Sequence, residues 1–113
     1  MEKIVVQKIV KVNSDVTQMY FRVVSAINDL QLTDRDISLL SFVANKGNIS
    51  DKSLRMEFCV ENNTTPDSIN NIVSKLKRIG ILIKQERVIG LSPIFRFDYS
   101  KDIQLQIDLK HEK

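Results

Sequence analysis

The sequence predicts an α+β fold: a strand, four short amphipathic helices, a β-hairpin and a last strand. Three observations carry this. Helix punctuation recurs at short intervals, with Thr33 ahead of an acidic first turn, Gly47 behind it, then Thr65-Pro66 and Gly80. The apolar period shortens from helical to strand-like after Gly80. Ile103, Leu105, Ile107 and Leu109 alternate with Gln104, Gln106, Asp108 and Lys110, the cleanest strand pattern in the chain. With 113 residues, 42% of them hydrophobic and 27% charged, the chain is long enough for a core and is expected to form one domain, 1–113.

Taken in order, residues 4–12 are rich in Ile and Val and read as a strand. Asn13-Ser14-Asp15 interrupts it and offers a cap. Val16, Met19, Tyr20, Val23, Val24, Ile27 and Leu30 then recur at helical spacing, giving a helix at 16–30 whose stripe suits the core or a partner helix. Thr33 caps the next helix, in which Asp34 and Asp36 favour the positive helix start and Ile37, Leu40, Val43 and Ala44 face inward. Ser50 is the expected cap of a third helix at 51–61, with Leu54, Phe58 and either Cys59 or Met56 buried. Thr65 caps the fourth, and Pro66 occupies the first helical position, where its missing N–H costs nothing. Its buried residues are expected to be Ile69, Ile72, Val73, Leu76 and Ile79, and Gly80 stops it. Residues 81–84 read as a strand, 85–87 as a turn, and 88–91 with 94–99 as the returning strand, interrupted at Pro93, which cannot donate to a ladder.

Charge is distributed unevenly. The chain carries a net +3 and its pI is near 9.1, yet residues 71–88 alone hold Lys75, Lys77, Arg78, Lys84 and Arg87 against one acid, Glu86. A concentration of cations on one helix and the segment after it is what an electrostatic footprint for phosphates looks like.

Other function classes find no support. His111 is the only histidine and Cys59 the only cysteine, so neither a zinc set nor a Ser-His-Asp or Cys-His nucleophile has a mount. Gly47, Gly80 and Gly90 form no phosphate loop. Asp34 and Asp36 face different directions on their helix and read as capping charges. Tyr20, Phe21, Phe42, Phe58, Phe95 and Phe97 read as core. A non-enzymatic protein without cofactor or metal is therefore expected. The lone cysteine points to a reducing, cytoplasmic setting. No apolar run approaches the ~18 residues of a membrane span, and the N-terminus has no signal-peptide h-region.

Three short helices followed by a hairpin resemble the winged helix-turn-helix family. The residues that carry the resemblance are LTDRDISLLSFVANKG (32–47), SDKSLRMEFCV (50–60) and TPDSINNIVSKLKRIGILIK (65–84). The match covers about 32–99 and is one of spacing. A fainter similarity to plasmid and phage replication-initiation proteins rests on RVIGLSPIFRF (87–97). The resemblance implies a double-stranded DNA-binding regulator of transcription or replication, with helix 66–79 in the major groove and the hairpin as the wing. The residues expected on DNA are Ser68, Asn70, Asn71, Ser74, Lys75, Lys77 and Arg78, joined by Lys84 and Arg87 on the wing. Asn pairs bidentately with adenine, and Lys and Arg hold phosphates. Lys77 and Arg78 also complement the helix dipole without any ligand. Asn70-Asn71 is the more telling pair, because two asparagines mid-helix lose propensity with no packing gain. Asp67 departs from the pattern, since a carboxylate repels phosphate, although it can accept from a cytosine amine.

The alternative is a protein-interaction or structural module, such as a phage virion or transcription-machinery component, using the terminal strands 4–12 and 102–110 for assembly. A homodimer through helix 16–30 or through the terminal strands is compatible with either reading.

Overall fold

The computed structural model describes Glu2 and residues 16–112, so the strand expected at 4–12 lies outside the described residues. The fold is α+β: four helices, α1 (Val16–Asn28), α2 (Asp34–Lys46), α3 (Lys52–Asn62) and α4 (Pro66–Arg78), lead into an antiparallel hairpin of β1 (Leu82–Gln85) and β2 (Val88–Leu91). A 3₁₀ turn, Pro93–Phe95, follows. No helix among the described residues is long and apolar enough to cross a membrane.

Local chemistry sets the boundaries of α2 and α4. Thr33 and Asp36 form a reciprocal capping box, the Asp36 N–H donating to Thr33 Oγ1 at 3.1 Å and the Thr33 N–H to Asp36 Oδ2 at 2.9 Å. Gly47 ends α2 in the left-handed region, φ +92°, with its N–H on the Val43 carbonyl. Thr65 caps α4 by accepting from the Ser68 N–H at 3.3 Å, and Pro66 opens the helix. Gly80, at φ +85°, closes it in a Schellman arrangement: its N–H reaches the Lys77 carbonyl and the Ile81 N–H reaches Leu76. Leu76 and Ile81, thus clasped, are both buried. Ser50 does not cap α3. Asp51 occupies that position without a side-chain hydrogen bond, because the Ser50 Oγ is taken by the Ile89 N–H at 2.7 Å.

That contact belongs to a long-range pairing. The Ile49 N–H donates to the Ile89 carbonyl at 2.9 Å, so the α2–α3 connection runs along the outer edge of β2. Gly90 sits where the two backbones press together, and a Cβ there would lie 3.1 Å from the Gly47 oxygen. The core gathers between the helices and the hairpin, with Leu39, Leu40, Ile49, Phe58, Ile69 and Leu76 at 0% exposure.

Several expectations need correction. The helix α1 buries Thr17, Phe21 and Ser25, not the apolar stripe, and leaves Ile27 52% exposed. The rest of the expected stripe, Val16, Met19, Tyr20, Val23, Val24 and Leu30, is half-buried, with Tyr20 and Leu30 packed against the core. Ser25 explains part of this, since its Oγ accepts from the Leu32 N–H at 3.1 Å and its carbonyl from the Leu30 N–H, tying the α1–α2 connection inward. Residues 94–99 are not strand. After Pro93 the chain turns, with the Phe95 N–H on the Ser92 carbonyl, and its aromatics go back to α1. Tyr20 meets Phe97 and Tyr99 edge-on at 5.5 and 5.7 Å, and Phe21 meets Phe95 at 5.8 Å. Phe97 is nevertheless half exposed and not core, as is Met56 on α3. Residues 102–110 are not strand either: no backbone hydrogen bond joins them to another element among the described residues, while the outer edge of β2 is occupied by Ile49, Ser50 and the Arg96 guanidinium on the Leu91 carbonyl.

Candidate nucleic-acid interface

The inward side of α4 is fixed by Ile69, Val73 and Leu76, all buried. Ile72 is half-buried beside them, and Ile79, expected as an anchor, is 38% exposed at the helix end. With 3.6 residues per turn, this stripe directs Asn71, Ser74 and Arg78 away from the core, sets Asn70 and Lys77 on one flank, and sets Ser68 and Lys75 on the other. Asp67 shares the outward line and is exposed.

Three of the nine candidate residues are committed inside the fold. Ser68 belongs to the helix start, where the Thr65 hydroxyl donates to its Oγ at 3.1 Å. Asn70 accepts through Oδ1 from Nη1 of Arg55 on α3 at 2.5 Å. The same Arg55 donates through Nε to the Ile49 carbonyl at 2.8 Å, so it ties α4 to the α2–α3 connection. An arginine has no acceptor, so the Asn70 amide is oriented with its NH₂ group away from Arg55.

Lys75 is the most committed. Its Nζ lies 2.5 Å from Asp36 Oδ2 and 3.3 Å from the Gln31 carbonyl. The Asp36 side chain is 4% exposed and that of Lys75 29%. A carboxylate so buried needs a cation and a hydrogen bond to offset its lost hydration, and here it has both, Lys75 and the Thr33 N–H. Asp36 is thus more than a capping charge: it links the start of α2 to the middle of α4. A phosphate contact from Lys75 was expected on the premise of a free ammonium, and the structure gives that ammonium an internal partner.

The other six, Asn71, Ser74, Lys77, Arg78, Lys84 and Arg87, are exposed and have no side-chain partner among the described residues. Lys84 and Arg87 stand on the hairpin, where Gln85 pairs with Val88 across a two-residue turn. Glu86, the first residue of that turn, takes a left-handed φ of +59°. Two cations that sequence reasoning missed border α4: Arg55, and Arg35, whose Nη1 donates to Thr64 Oγ1 at 3.1 Å in the α3–α4 turn. Their sequence separations, 15 and 29 residues, left no local signal.

Among the described residues no group of three or more His, Cys, Asp or Glu side chains is placed to hold a metal ion. Cys59 is buried, and His111 is exposed in a segment without regular structure. Searches of protein-family models, curated proteins and solved structures find no match to this chain.

Proposed function

We propose that the protein binds double-stranded DNA, with α4 in the major groove and the β1–β2 turn against the neighbouring backbone, as a winged helix-turn-helix regulator of transcription or replication does. One observation carries the reading: four cations and two short hydrogen-bonding side chains on α4 and the hairpin are exposed with no partner among the described residues. The order of α2, α3, α4 and hairpin supports it, as does the backbone bond from Ile49 to β2, which gives the hairpin a third strand-like neighbour. The buried lone Cys59 suits a reducing, cytoplasmic setting.

The roles follow from chemistry. Asn71 has both amide ends open for adenine N6 and N7, and Ser74 lies one turn further along the same line. Lys77, Arg78, Lys84 and Arg87 hold phosphates. Lys75 holds α4 in position and makes no phosphate contact. Asn70, with its oxygen engaged by Arg55, presents a donor. The test is anisotropy titration of labelled random-sequence duplex over a salt series. Four phosphate contacts predict a log–log slope of about −3.6, so that doubling the salt weakens binding about tenfold. The double variant K77A/R78A should reduce the slope to about −1.8. A slope unchanged in that variant would sink the proposal.

A second reading has its own observation. Met56 and Val60 lie one turn apart on the outer side of α3, 50% and 79% exposed. Apolar side chains there suit a protein partner better than a phosphate backbone. If duplex DNA does not bind, the interaction-module reading takes its place.

A further inference from the structure

The segment 102–110, DIQLQIDLK, has a strict strand pattern and no strand partner among the described residues. No backbone hydrogen bond joins residues 102–112 to another element among the described residues. Its apolar side chains are progressively open: Ile103 is half-buried, Leu105 44% exposed, Ile107 56% and Leu109 94%. A strand-forming sequence with unpaired backbone and one apolar face is a template for pairing with another chain.

The sequence itself selects the occupant. We infer that residues 102–110 are a dimerisation strand, which pairs antiparallel with the same segment of a second copy about a twofold axis at Gln106. In that register Leu105 faces Ile107 of the second copy, Ile103 faces Leu109, and Asp102 faces Lys110, each pair occurring twice by symmetry. The period of two allows only registers that shift by two residues, since a shift by one sends the apolar set to the wrong face. Both neighbouring registers put like charges opposite each other. One sets Asp102 against Asp108, and the other sets Asp102 against Glu112. The register centred on Gln106 avoids both clashes and gains two unlike pairs.

This pairing is independent of the DNA reading. It brings eight apolar side chains onto one face. A two-stranded ribbon is marginal alone, so association should be concentration-dependent.

The test uses the full chain. In sedimentation velocity over a concentration series, wild type should shift from monomer to dimer. Lys110→Asp places two acids opposite each other at both ends and should weaken the dimer about tenfold, and the double exchange D102K/K110D should restore it. Cross-linking reads the register directly. Gln106→Cys faces its own symmetry mate and should form an intermolecular disulfide. Gln104→Cys, about 13 Å from its mate in this register, should form it at least about tenfold more slowly. The buried Cys59 serves as the internal background. A monomer at every concentration overturns the inference, including one whose 102–110 amides are protected by the chain's own 4–12 segment. So does equal cross-linking at 104 and 106, or failure of the double exchange to restore what the single one lost.

Discussion

Replacing Lys75 by Met separates a scaffold role from a DNA-contact role. The substitution keeps the aliphatic stem of the side chain and removes its charge. Asp36, 4% exposed, is then left with the Thr33 N–H at 2.9 Å and no cation. Removing one partner of a buried pair costs about 3–5 kcal/mol, and because the Lys75 side chain is 29% exposed and partly wet, the lower end applies, about 3 kcal/mol. For a chain of this size that is a fall in Tm of about 12–15 °C. The mirror change, Asp36→Asn, is milder. Asparagine keeps an oxygen for the Thr33 N–H, and the released ammonium can turn to water, so about 1–2 kcal/mol is expected. In the double variant D36N/K75M no buried charge remains. Its loss should fall short of the two single losses combined by about 1–2 kcal/mol. Urea unfolding followed by circular dichroism supplies these values, with the slope m checked for constancy. The salt slope of DNA binding, measured well below the variant's Tm, should stay at its wild-type value. A Lys75→Met protein of wild-type stability whose slope falls by about 0.9 would refute the argument, because the lysine would then be on phosphate.

Two other perturbations follow from single positions. Glu86→Gly relieves the left-handed φ of +59° and removes the one acid from the basic hairpin, so stability should rise by up to about 1 kcal/mol while duplex affinity increases, both read by the same titrations. Burial, and then the nearby Tyr20, push the Tyr99 phenol above its ordinary 10.0. The folded state therefore favours the neutral form, its contribution is complete below pH 10 and is lost as the pH rises above it, and Tyr99→Phe should flatten the alkaline decline in stability between wild type and variant.

What the sequence revealed, and what it hid, divides along a physical line. Thr33, Gly47, Thr65-Pro66 and Gly80 were legible because each answers a need of the backbone within four residues of itself. The orientation of α1 was only partly legible from periodicity, since the hydrogen bond from the Leu32 N–H helps to turn Ser25 inward, Phe21 outside the expected stripe is fully buried, and most of the stripe is left half-buried. The strand at 94–99 failed for a similar reason: edge-on contacts of Phe97 and Tyr99 with Tyr20 draw the chain off the hairpin. At the interface, the outward line through Asn71, Ser74 and Arg78 could be read from the 3.6 period alone. That Lys75 belongs to Asp36, 39 residues earlier, and Asn70 to Arg55 could not, because the cationic and amide side chains that suit a nucleic acid equally suit a neighbouring helix.

The most direct test of the interface is a titration of ¹⁵N-labelled protein with a short duplex, followed amide by amide. The account predicts that shifts concentrate on 67–78 of α4 and on Lys84 to Val88 of the hairpin, with α1 and 102–110 unmoved. Shifts that fall instead on α1 or on the outer side of α3 at Met56 and Val60, or no shifts at all, would contradict it.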